Sequence, residues 1–204
     1  MNIIVFGASG GTGEHVVQQT LEEGHSVTAF VRNPEKLTIS YEQLKIIKGD
    51  ALKFDDAAKA IEGHDVVISC LGAHGLGKTT ELSQMTSNII EGMKQHNVNR
   101  ILYMASAGIY KEIPGITGWL AQKILKNVLE DHRRAVDQLA QSDFEWTAAR
   151  PMGLTKKELT AHYRTKAEGI PEGGRNISRA DVAHFFTREL QNRQFIRQSV
   201  GLAY

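Results

Sequence analysis

Cysteine is almost missing from the chain. Cys70 stands alone among 204 residues, so no internal disulfide can form, which suits a reducing compartment and leads us to expect the cytoplasm. It closes the apolar run Val66-Val67-Ile68-Ser69 and reads as a small buried hydrophobe rather than a reactive thiol. Neither sign of charge is in excess. Lys and Arg number 24 and Asp and Glu 23, a formal net charge of +1, so neither nucleic acid nor an anionic membrane is expected as a partner. No hydrophobic run approaches the roughly 20 residues of a membrane span, and the start lacks a signal-peptide pattern. The eight histidines are scattered, with no His-x-x-x-His or Cys-x-x-Cys spacing, so no metal site is expected. Internal repeats and low-complexity tracts are lacking as well. What remains is 41% hydrophobic and 23% charged, as in ordinary globular domains, in a chain long enough to bury roughly 70% of its unfolded surface.

The most informative stretch is the start. Ile3-Ile4-Val5-Phe6 reads as a buried strand and leads directly into Gly7-Ala8-Ser9-Gly10-Gly11-Thr12-Gly13, after which a helix runs to Glu23. A glycine-rich turn between strand and helix lets backbone approach a ligand closely and aims unpaired N–H groups at it. The helix start adds about half a positive charge. Strand, turn and helix in this order predict a pyrophosphate site, hence a dinucleotide, although the spacing is G-x-x-G-x-x-G rather than G-x-G-x-x-G. A tight turn without a ligand is the alternative.

Downstream, strands near 2–6, 26–31, 44–48, 65–70, 100–104 and 144–149 alternate with helices near 11–23, 54–62, 79–97, 117–141 and 179–191. Such alternation predicts an α/β protein with a Rossmann-type, doubly wound parallel sheet, here a single domain over 1–204. Ser178-Arg179-Ala180-Asp181 resembles a capping box opening the last helix. Residues 151–177 are irregular and rich in Gly and Pro. They follow the sixth strand at the carboxyl edge of the sheet, where ligands bind in such folds, and are expected to form a small substrate-side lobe.

The second strand ends Phe30-Val31-Arg32-Asn33 without the carboxylate that usually receives the ribose hydroxyls of NAD. Arg32, with Lys36 as a second cation, is instead suited to a 2′-phosphate, which favours NADPH over NADH. Asp50, in Gly49-Asp50-Ala51 after the third strand, can accept from the adenine amino group or serve as a turn residue. Leu71 and Gly72 after the fourth strand let backbone pass close to the ribose.

Together G-A-S-G-G-T-G, F-V-R-N, G-D-A, C-L-G-A, M-A-S-A-G and R-P-M-G resemble the atypical short-chain dehydrogenases with an NAD(P)H-binding domain, over residues 1 to about 190. Size, V-R-N-P-E-K and Asp131-His132 make the chain most similar to the biliverdin-IXβ reductase/flavin reductase branch. The resemblance implies an NADPH-binding, usually monomeric reductase that passes hydride to FMN, tetrapyrroles or dye-like acceptors. It also implies a cofactor site at Gly7, Ser9, Gly10, Gly11, Thr12, Arg32, Lys36, Asp50, Ala51, Leu71, Gly72 and Ser106. Gly13 completes the glycine motif, and Pro151 and Met152 are placed with the cofactor site at the end of the sixth strand. That branch often carries a His where Met152 stands here; Met suits a flat apolar ligand and equally a core gap.

Typical short-chain dehydrogenases use a Tyr-x-x-x-Lys pair on the fifth strand's following helix, the Tyr as general acid. Here Val128 and His132 occupy those places, and the one matching spacing, Tyr41 to Lys45, falls between the second and third strands. Ser106, just past the fifth strand, and His132 are therefore the candidate catalytic residues; a strand-end hydroxyl bonded to backbone and a helix-surface histidine are the alternatives. Hydride transfer to a conjugated acceptor chiefly needs stacking, so a missing dyad argues against a simple alcohol dehydrogenase. The expectation is an NADPH-dependent reductase of a flavin, tetrapyrrole or quinone-like small molecule, as a monomer or weak homodimer. The alternative is an NmrA-like NADP(H)-binding redox sensor without turnover.

Overall fold

A computed structural model describes residues 1–73 and 75–204, apart from the side chains of Thr117 and Ala121. Its first strand, β1 (Asn2–Phe6), explains the sheet. Ile3, Ile4, Val5 and Phe6 are all fully buried, because helices cover both faces and a continuous apolar run satisfies both. Alternate residues separate into two cores: Ile3 and Val5 pack on one face, Ile4 and Phe6 on the other.

The remaining strands are β2 (Ser26–Val31), β3 (Leu44–Lys48), β4 (Val66–Ser69), β5 (Arg100–Met104), β6 (Glu145–Pro151), β7 (Gly153–Thr155), β8 (Arg164–Lys166), β9 (Asn176–Ser178) and β10 (Gln198–Ala203). The main sheet runs β3-β2-β1-β4-β5-β6-β10-β8, parallel except for the β8 edge. Helices α1 (Gly11–Glu22) and α5 (Arg179–Asn192) cover one face; α2 (Phe54–Ile61), α3 (Glu81–Gln95) and α4 (Gly115–Ala140) cover the other. This is a Rossmann-type doubly wound fold. The chain reverses direction of build between β1 and β4, and the crevice at their carboxyl ends is the switch point where such sheets take ligands.

Four strands lie where no strand was expected. β10 adds parallel to β6, β8 closes the edge, and β7 and β9 form a separate parallel pair inside the irregular stretch and at its end. Buried Arg150, on β6, ties these parts together. Its guanidinium pairs with Glu112 from the loop after β5, donates to Gly169 O at 2.9 Å and Ser199 O at 3.1 Å, and its Nε donates to Ser199 Oγ at 2.9 Å. Among the described residues, no helix is long and apolar enough to cross a membrane.

Candidate functional site

The glycine turn has the geometry its spacing predicts. Gly7 has φ +73°, and a Cβ there would stand 2.7 Å from Cys70 O; a Cβ at Gly13 would stand 2.2 Å from Gly7 O. Glycine at these two positions is what lets the turn sit against β4 and lets α1 start directly upon the turn. Gly10 caps α1 without a side chain, and its carbonyl accepts from Glu14 N at 2.9 Å. The amides of the first turn thus keep no intrahelical partner and face outward with the positive end of the helix.

These amides open into a cleft of about 420 Å³ at the carboxyl ends of β1, β2 and β4. Of the expected cofactor residues, Gly7, Ser9, Gly10, Gly11, Thr12, Arg32, Lys36, Asp50, Ala51, Leu71 and Gly72 line it together. Arg32 and Asn33 follow β2, and Lys36 ends a short 3₁₀ turn, Pro34–Lys36, so both cations reach one rim. Asp50 serves the turn as well as the cleft, since its Oδ1 accepts from Leu52 N at 3.0 Å.

Other expected residues stand apart. Gly13 acts by packing and does not line the cleft. Ser106 Oγ donates to Ala107 O at 3.0 Å, the backbone-bonded arrangement, and is not in the lining. Pro151 O accepts from Ala107 N, and Met152 N donates to Leu202 O, both at 3.0 Å; these positions knit strand ends together outside the lining.

His132, the other candidate catalytic residue, lies in the core and not in the cleft lining. It is buried, with Nδ1 3.2 Å from Tyr103 OH, and burial drives its pKa down to about 4 despite the upward pull of Asp131. It is neutral near pH 7 and faces the core between α3, α4 and β5. Asp131 has a structural task too. Its fully buried carboxylate accepts from Leu82 N (3.0 Å), Ser83 N (3.2 Å) and Ser83 Oγ (2.6 Å), and so caps α3 from α4. Cys70 behaves as a buried hydrophobe, its thiol pushed up to about 12 by burial.

Residues missed in the sequence complete the lining. Phe30, Met85, Met104 and Leu154 give it apolar wall, and Glu81 and Arg179 are further charged members. A Cβ on Gly49 would stand 2.5 Å from the Phe30 ring, so Gly49 makes room for that wall. Only Arg179 had a local signal: a cation in the first turn of a helix, where anions are favoured.

Fold and cleft define a Rossmann NAD(P)-binding protein. The family described as NAD(P)H-binding matches residues 7–193, and the chain belongs to that family. The chain is 28% identical over 130 residues to a 3 beta-hydroxysteroid dehydrogenase/Delta 5-->4-isomerase of Mycobacterium tuberculosis, covering 57% of this chain and 34% of that protein. The chain thus spans about a third of the length of the first curated relatives it matches. A Rossmann-fold NAD(P)-binding family protein from Shigella flexneri superposes with TM-score 0.80 at 26% identity, over 98% of this chain and 92% of that one. ChuY, an anaerobillin reductase from Escherichia coli O157:H7, superposes with TM-score 0.83 over 100% and 97% of the two chains; at 21% identity it shares the fold.

Proposed function

We propose that the chain is an NADPH-dependent reductase of a flat conjugated acceptor, such as FMN, a tetrapyrrole or a quinone. The observation that carries the reading is the composition of the cleft: two cations and no carboxylate after β2, and an apolar wall of Met85, Met104 and Leu154. Arg32 and Lys36 would hold the 2′-phosphate, and the amides of Gly11 and Thr12 the diphosphate, the Gly10 amide being engaged by Gly7 O at 3.0 Å. Bound reduced nicotinamide supplies a hydride. The thioethers and Leu154 favour a broad apolar acceptor, exclude water and hold it flat.

With Val128 and buried His132 at the usual Tyr and Lys places, no side chain there can protonate an alkoxide. An acceptor whose conjugation absorbs the hydride, with the proton taken from water, suits such a site better than an isolated carbonyl. The stretch 151–177, which contributes Leu154 to the lining, is read as the substrate-side lobe.

Loss of reduced-nicotinamide absorbance on mixing the protein, NADPH and a panel of flavins, biliverdins and quinones tests the reading. Turnover with at least one acceptor supports it. Tight NADPH binding with no turnover across the panel overturns it in favour of a redox-sensing binding protein, the NmrA-like reading that the missing proton donor also favours.

A further inference from the structure

We infer that Arg179 is a second cation of the cofactor site, one that clamps the diphosphate from the C-terminal side while Arg32 reads the 2′-phosphate. The inference rests on the cofactor reading above. Arg179 is the first residue of α5, and its side chain lies across the start of α1: a Cβ on Gly11 would stand 3.0 Å from both its Cδ and its Nε. It lines the cleft, and its guanidinium has no hydrogen bond or ion pair to any described residue.

Two helices begin at this point. Each start carries about half a positive charge, so a guanidinium there is disfavoured unless an anion joins it. The acids of the two first turns do not supply one. Glu14 of α1 makes no ion pair with Arg179. Asp181 of α5 is already saturated, accepting from Ser178 Oγ (2.9 Å), Thr160 N (3.0 Å), Thr160 Oγ1 (3.0 Å), Ala161 N (2.7 Å) and Tyr204 OH (2.5 Å). Burial raises its pKa, but these donors outweigh that and hold it below the ordinary carboxylate value.

The place of Arg179 is also built rather than incidental. Ser178 Oγ accepts from Asp181 N at 2.9 Å, Ser178 N donates to Tyr204 OH at 3.0 Å, and Gln19 Nε2 of α1 donates to Ala180 O at 3.0 Å. An unpaired fork held over outward-facing amides matches the non-bridging oxygens of a diphosphate.

Calorimetry with NADPH and with 2′-AMP, which lacks the diphosphate, separates the two cations. In Arg179→Ala, NADPH affinity is expected to fall about tenfold or more, the scale of a lost charge-assisted hydrogen bond, with 2′-AMP affinity unchanged. Arg179→Lys recovers part of the loss, because it restores charge without the fork. Arg32→Ala weakens both ligands. Wild-type NADPH affinity in Arg179→Ala, or an equal loss for 2′-AMP, overturns the inference alone. Wild-type protein that binds neither nucleotide overturns the cofactor reading as well. An unchanged denaturation midpoint in Arg179→Ala is expected, since that guanidinium bonds to none of the described residues; Arg179→Gln gives the same comparison should Arg179→Ala not fold.

Discussion

Gly13 carries more consequence than its missing side chain suggests. A Cβ there would meet Gly7 O at 2.2 Å, and the nearest atoms are all backbone of Gly7 and Ala8, with nothing flexible to yield. Gly13→Ala is expected to cost about 1–3 kcal/mol, as overpacking does, and to weaken NADPH binding by displacing the turn. Melting temperature and calorimetry check both; unchanged stability would contradict the packing role. At the same scale, His132 makes stability depend on pH. Its folded pKa of about 4 lies below the ordinary 6.5, so the unfolded chain binds more protons between those values. Its contribution is fully present above about pH 6.5 and is lost as pH falls toward 4. The loss between about pH 7 and about pH 5 should be about 2 kcal/mol, and His132→Gln should remove it. Burial lowers His25, His64 and His184 in the same direction, so a residual slope is expected in the variant. Equal slopes of denaturation free energy against pH in the two proteins would contradict the assignment. His132 also shows what a sequence withholds: a titratable side chain on a helix is acid, ligand or filler according to its burial, and burial is set by packing that spacing does not reveal.

At the scale of elements, the best-read parts were those with their own pattern. β1 is buried on both faces and therefore continuous in hydrophobicity, and the glycine turn follows it with the spacing that close backbone approach requires. β8 is three exposed residues, Arg164–Lys166, a strand only because Gly201–Ala203 lies beside it. β10 contains Gly201, where a Cβ would stand 2.5 Å from Gly169 O, so its glycine serves the neighbouring segment and masks the strand pattern. The resemblance to a capping box before α5 held in part: Ser178 caps the helix, whereas the Asp181 carboxylate turns to Thr160, Ala161 and Tyr204. Arg150 of β6 joins β10 through Ser199 to the loops that carry Gly169 and Glu112, the last by a buried ion pair. Arg150→Met is expected to lower unfolding free energy by about 3–5 kcal/mol, because it strands a buried carboxylate. Adding Glu112→Gln should recover part of that loss. A denaturant midpoint shift worth less than about 1 kcal/mol in the single variant would contradict the linking role.

For the whole molecule, the doubly wound sheet gathers residues far apart in the chain into one cleft. Motif residues before α1, the cations after β2 and the turns after β3 and β4 were legible, because each lies just past a strand and every parallel strand ends on the same side. Arg179 and Leu154 come from the other end of the chain and reach the cleft only through the packing of α5 on α1 and the path of the chain after β6. The central claim is that this cleft takes a phosphorylated dinucleotide, selected by Arg32. Isothermal calorimetry of NADPH against NADH, on wild-type protein and on Arg32→Ala, tests it most directly. The account predicts NADPH tighter by about tenfold or more in the wild type, as a charge-assisted pair allows, and a clearly smaller preference in the variant, where Lys36 alone remains. Equal or tighter binding of NADH by the wild-type protein would contradict it.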